Sequence, residues 1–195
     1  MRFMNKVSAV VAIPLVALSL SACTININVP SNPGFGMMSS ERGGEEQVEM
    51  FAEMMIPHHQ QAIEMSGIAL ERSDNVAVKD LAERIIDGQT PEIELMSTWI
   101  SQSEAGGMMS GMGMPGMGGM ASDEEMAELA TLTSPEFDRQ FLTLMIEHHE
   151  GALHMVHMID DSRVDEVAQL ADDIVRVQTK EIEEMNAMLK ELNNA

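Results

Sequence analysis

Apolar side chains recur at alternating spacings of four and three from Phe51 to Ala69. Phe51, Met55, His58, Ala62, Met65 and Ala69 form one stripe, and His58 is its polar member. A stripe of this period lies on one side of an α-helix and faces a partner helix. Phe141, Met145, His148, Ala152, Met155 and Ile159 make a second stripe of the same kind. Two further stripes run through Val78, Ala82, Ile85, Gln89, Glu92, Met96 and Trp99, and through Val167, Ala171, Ile174, Gln178, Glu181, Met185 and Met188. The pattern predicts helices over 45–72, 76–102, from Ser134-Pro135 to Asp161, and over 164–192. Ser73-Asp74-Asn75 reads as a turn. Ser134 reads as a helix cap with Pro135 at the first helical position. A short helix is predicted over 123–132.

The stripes belong to a duplicated unit. Phe51, Met55, Ile56, His58, His59, Ala62 and Met65 recur 90 residues later as Phe141, Met145, Ile146, His148, His149, Ala152 and Met155. Leu81, Ala82, Gln89, Thr90, Glu92, Ile93, Glu94 and Met96 recur after 89 residues as Leu170, Ala171, Gln178, Thr179, Glu181, Ile182, Glu183 and Met185. The one-residue change falls in the turn between the two stripes. Each unit is therefore a helical hairpin, at 45–103 and 134–193, and two hairpins make an all-α four-helix bundle. Composition agrees: 5 Phe, 1 Trp, no Tyr and 21 Met give an aliphatic, soft core with little to favour a sheet.

Polar residues interrupt all four stripes at one level. In an antiparallel hairpin His58 lies level with the Gln89–Glu92 turn, and His148 with Gln178–Glu181. His59 and His149 lie about 100° further round their helices, at the edge of the same face. Met55 and Met96 fall about one turn further from the hairpin tip. Burying such a layer is costly unless its members pair or bind a metal. Glu92 and Glu181, with Gln89 and Gln178, are expected to orient His58 and His148 in the manner of groups that support metal-bound imidazole. Imidazole with thioether is a donor set suited to copper, Cu(I) first and Cu(II) second. Two other functions fit the bundle. The layer can serve only to fix register in a helical interaction module. A di-metal oxidase would need several inward carboxylates and Glu-x-x-His pairs, but Met55 and Met145 stand three residues before His58 and His148. Pro57 and Pro91 sit inside predicted helices, where each removes one hydrogen bond.

The ends and the middle of the chain add separate signals. Arg2 and Lys6, the apolar Val7–Leu20, and Leu20-Ser21-Ala22-Cys23 have the form of a lipoprotein signal over 1–22. Cys23 would carry the lipid, and as the only cysteine it permits no disulfide within the chain. Residues 23–44 read as a flexible tether, and 45–195 as the bundle. This predicts an extracytoplasmic protein, in the periplasm or at the cell surface, held to a bacterial membrane through the Cys23 lipid. The net charge is −21. It argues against nucleic acid and anionic lipid as partners and favours cations. Protein partners leave no signature. The loop 105–122 is low in complexity. Its Met108, Met109, Met112, Met114, Met117 and Met120 are soft donors suited to Cu(I) or Ag(I). His154 and His157 have no counterpart in the first unit and are auxiliary donors. Because imidazole must be neutral to bind metal, histidine sites are expected to fail in mild acid where thioethers persist.

Met-Ile-x-His-His-x-x-Ala-(Ile/Leu)-x-Met, followed by Gln-Thr-x-Glu-Ile-Glu-x-Met, occurs in both units. This pattern resembles the bacterial domain-of-unknown-function family three-zero-five (DUF305), which includes periplasmic copper-binding proteins of the CopM type. The resemblance covers 45–195. It implies a ferritin-like four-helix bundle, an extracytoplasmic location and, for some members, copper binding and tolerance; the chain is read as a binding protein, with a di-metal oxidase the enzymatic alternative. It places the metal at His58, His59, Met65, His148, His149 and Met155, with Met55, Met96, Met145 and Met185 nearby.

Overall fold

A computed structural model describes residues 38–102, 118–160 and 162–194. The described residues form five helices and no strand: α1 (Met38–Arg72), α2 (Val76–Gln102), α3 (Asp123–Leu129), α4 (Glu136–Val156) and α5 (Asp165–Leu192). The signal segment, Cys23, the tether up to residue 37, and Met108 to Met117 of the loop lie outside the described residues. The fold is all-α, and the two predicted hairpins are α1–α2 and α4–α5, joined mainly through α1 on α4. Among the described residues no helix is long and apolar enough to cross a membrane.

Local chemistry sets the helix ends. After α1, Ser73 Oγ accepts the Asn75 N–H at 3.0 Å, and Asn75 Oδ1 accepts the Ala77 N–H at 3.0 Å, which caps α2. Ser122 and Glu125 form a reciprocal capping box at the start of α3. Both α1 and α2 continue through Pro57 and Pro91.

Three boundaries differ from the sequence reading. α1 opens at Met38, inside the segment expected to be tether, because a packed helix extends upstream without a new nucleation cost. Ser134 does not cap α4. Its hydroxyl instead accepts the Asp74 N–H at 2.8 Å, tying the α1–α2 turn to the start of α4. Ser73 Oγ reinforces that tie by donating to the buried Asp138 at 2.5 Å. α4 ends at Val156, short of Asp161, and turns continue to Asp160.

Two apolar clusters fill the bundle, one on either side of the histidine level. One gathers Ala62, Ala69, Leu81, Ile85, Leu129, Phe137 and Phe141; the other gathers Phe51, Ala52, Ala152, Val156, Leu170 and Ile174. Arg84 and Glu184 bridge α2 and α5 with two bonds of 2.6 and 3.0 Å, but the pair is exposed and contributes little. Stability therefore rests on the two clusters. Phe137, fully buried with its ring 5.9 Å from that of Phe141, is an anchor of the first. Phe137→Ala is expected to cost about 3–5 kcal/mol in urea unfolding. Val175→Ala, at a site 44% exposed, should stay within about 0.5 kcal/mol.

Candidate metal centre

His58 and His148 meet across the bundle axis. Their ring centroids are 3.7 Å apart and the planes are tilted by 36°. Both come from stripe positions, so the stripe of α1 faces α4 in the other hairpin. His59 and His149, one residue on, turn toward their own hairpin partners. His59 Nε2 lies 2.7 Å from Glu92 Oε2, and His149 Nε2 lies 2.7 Å from Glu181 Oε2. All four rings are at most 1% exposed. The carboxylates thus hold His59 and His149, and not His58 and His148 as expected from the stripes. The cause is rotational: the stripe looks across the bundle, and its flank looks at the neighbour within the hairpin.

The hydrogen bonds fix which nitrogen of each ring is free. A carboxylate accepts, so the Nε2 of His59 and of His149 carries the hydrogen and donates it. His58 Nε2 donates to the Gly118 carbonyl at 3.4 Å. Among the described residues the buried Nδ1 of these three rings has no partner, and neither nitrogen of His148 makes a well-formed hydrogen bond, the backbone of His58 lying beside it. Gln89 adds an unpartnered amide oxygen and nitrogen, and Gln178 an unpartnered oxygen. Orphaned buried polar atoms at this density are uncommon in native interiors. Neutral imidazole with a free Nδ1 and a carboxylate on Nε2 is the arrangement of a supported metal ligand. Among the described residues no three His, Cys, Asp or Glu side chains form a preformed cage. Thioethers, or a parting of the stacked His58 and His148 rings, must therefore complete any coordination shell.

The methionines divide evenly about the layer. Met65, Met145 and Met185 lie in one apolar cluster, and Met55, Met96 and Met155 in the other. Each set draws on both hairpins and all six side chains are buried. Met120 is half-buried beside the described end of the loop. His154 and His157 are not part of the layer. Both are exposed; His154 Nδ1 bonds the Glu150 carbonyl at 2.8 Å, and His157 Nδ1 lies 3.3 Å from Asp160.

Three contacts beside His58 have no forerunner in the sequence reading. Gln61 Nε2 donates to the Ala121 carbonyl at 2.8 Å, and Gln61 Oε1 accepts the Ala121 N–H at 2.8 Å. A Cβ on Gly151 would stand 1.8 Å from the Gly118 oxygen. The one available signal was that Gln61 and Gly151 occupy the same position in the two units yet differ.

Burial dominates the electrostatics. It pushes His58 down to about 3, helped by the neighbouring His59 and opposed by the Gly118 carbonyl. It pushes His148 down to about 2, helped by the rings of His58, His149 and His59 and opposed by the backbone of His58. Both rings therefore stay neutral in the fold well below pH 6.

The family description "Domain of unknown function (DUF305)" matches residues 49–189. A DUF305 fragment from Deinococcus radiodurans is 37% identical, covers 74% of this chain and 96% of its own, and superposes with a TM-score of 0.66. CopM in its Cu(II)-bound form is 38% identical over 74% of this chain and 96% of its own, with a TM-score of 0.64. CopM in its Cu(I)-bound form is 35% identical over the same shares, 74% and 96%, with a TM-score of 0.60. No functionally curated protein matches the chain.

The pKa directions set a pH dependence. Above about 6.5 both rings are neutral folded or unfolded, so they leave stability unchanged. Below that, the unfolded chain takes up protons that the fold refuses, and stability falls until the folded values near 3 and 2 are reached. The urea midpoint of the metal-free chain should drop between pH 7 and pH 5. The drop should be smaller in H58L/H148L, which lacks both groups.

Proposed function

The chain belongs to the DUF305 family, and we propose that it is a copper-binding protein that takes Cu(I), and secondarily Cu(II), at the histidine layer. The observation that carries this reading is the set of four buried imidazoles, each with an Nδ1 that has no hydrogen-bond partner among the described residues. Copper is the cargo here. His58, His59, His148 and His149 would ligate it, and the thioethers of Met55, Met65, Met96, Met145, Met155 and Met185 would line its surroundings. Glu92 and Glu181 hold two rings in the correct tautomer and raise their basicity. The likeness to CopM, solved with Cu(II), Cu(I) and silver, supports the choice of metal.

Two other readings are weaker. A layer that only fixed register would satisfy its members, since a half-satisfied polar network is worse than an apolar core. Here, among the described residues, both amide atoms of Gln89 and the Nδ1 of all four rings are unpaired. A di-metal oxidase needs more inward carboxylates than Glu92 and Glu181, which are already engaged by His59 and His149. The chain is accordingly read as a binding protein and not an enzyme.

The wider reading follows from the ends of the chain. Cleavage before Cys23 and lipidation there would hold the bundle outside the cytoplasmic membrane, where it sequesters copper or hands it on. The methionines of the loop and the exposed His154 and His157 would serve as auxiliary donors.

His58→Ala with His148→Ala should weaken Cu(I) binding about a hundredfold or more, exceeding the 10- to 100-fold effect of losing an outer group. His154→Ala with His157→Ala should leave the tight site in place. Anaerobic titration against a chromophoric Cu(I) chelator reads both variants. Equal losses would place the site away from the layer.

A further inference from the structure

We propose that Gln61 and Gly151 are positioning residues for His58: together they dock residues 118–121 so that the Gly118 carbonyl fixes the His58 ring with Nδ1 free. No site residue inferred from the repeat includes either of them. They stand at the same place in the duplicated unit, three residues after His58 and three after His148. That spacing puts each on the same side of its helix as its histidine.

The two residues act by different means on one short segment. Gln61 bonds both the N–H and the carbonyl of Ala121, each at 2.8 Å, so its amide pairs with the backbone as a neighbouring strand would. Gly151 contributes by having no side chain. An added Cβ would lie 1.8 Å from the Gly118 oxygen, 2.6 Å from the Gly118 carbonyl carbon and 3.0 Å from the Gly119 Cα. These neighbours are backbone atoms and cannot swing aside. Gly119 is under the same restriction. Its φ of +86° is a left-handed conformation, and a Cβ there would meet the Glu147 carbonyl oxygen at 2.2 Å. Gly119 and Gly151 thus let the segment lie directly on α4.

The docked segment brings the Gly118 carbonyl to His58 Nε2, at 3.4 Å, long for such a bond. A carbonyl can only accept, so this contact selects the tautomer with hydrogen on Nε2 and leaves the lone pair on Nδ1. Glu92 and Glu181 do the same for His59 and His149. His148 has no such contact with a docked loop segment among the described residues; the backbone of His58 lies beside it instead. The two units therefore differ here: the His58 ring is met by a carbonyl of the docked segment, and the His148 ring by the backbone of His58. The divergence of the repeat at Gln61 and Gly151 then has a physical cause, since a single segment is held between them.

The effect on copper rests on the function proposed above, whereas the effect on the tautomer does not. The experiment uses the full chain in detergent, labelled with 15N in its histidines, with Gly151→Ala and Gln61→Ala as variants. Gly67→Ala on α1 is the control, because a Cβ there meets nothing within 4 Å. Long-range 1H–15N spectra of the metal-free protein should show His58 protonated at Nε2 in the wild type and in the control. They should show a mixture of tautomers in both variants. Cu(I) affinity should fall about 10- to 100-fold in those same variants, the usual effect of losing an outer-shell partner. If Gly151→Ala does not fold, Gln61→Ala decides alone, since alanine keeps α1 helical. An unchanged His58 tautomer in the folded variants overturns the proposal, whatever their affinity. A wild type that binds no Cu(I) while the variants still shift the tautomer overturns the copper function and leaves the positioning role standing.

Discussion

Four imidazoles buried in the bundle interior, most of their nitrogens unpaired among the described residues, constrain the rest of the structure. Each orphaned buried polar group costs about 1–3 kcal/mol relative to a satisfied one. The fold carries that cost by placing an aliphatic, methionine-rich cluster on each side of the layer. It also makes the layer unwelcoming to protons, since a charge on His58 or His148 would be buried without a counter-ion. A soft monovalent ion suits such a place better than a proton does. It brings positive charge together with several bonds to neutral donors, where a proton brings charge and one bond. The same feature that weakens the metal-free bundle therefore favours the loaded one, as expected where a site departs from the rules of a stable core.

Duplication organises this layer. Each hairpin supplies one imidazole that crosses to the other hairpin and one that is held by its own carboxylate. Each methionine set likewise combines residues of both hairpins. The layer is thus assembled only when the hairpins dock. That docking is secured away from it, at the α1–α2 turn, through Ser73 with Asp138 and Asp74 with Ser134. The strong negative charge, carried mainly on exposed helix faces, draws cations toward the molecule without taking part in the layer.

Much of this was legible in the sequence. The 4,3 stripes of Phe51–Ala69 and Phe141–Ile159 and their offset of 90 gave the hairpins, and they put His58 and His148 in the core. The polar residues at 89, 92, 178 and 181 marked the level of the layer. The pairing within the layer was not legible. Whether Glu92 reaches His58 or His59 depends on how far α1 is rotated against α2, and a period of 3.5 residues leaves that rotation open. The role of Ser134 was hidden for a similar reason: a serine before a proline is a good cap in isolation, and only the docked turn of the other hairpin offers its hydroxyl a better partner. Gln61 and Gly151 show the converse. Comparing the repeats for agreement finds the buried imidazoles, while their disagreements mark where one segment breaks the two-fold arrangement.

Copper bound through imidazole in the layer would have a distinct signature in X-ray absorption at the copper edge. The full chain loaded anaerobically with one equivalent of Cu(I) should show nitrogen in the first shell and the outer-shell scattering of imidazole rings. Added sulfur from the flanking methionines is compatible with that result. A first shell of sulfur alone, with no imidazole scattering, would place the ion among methionines and contradict the account.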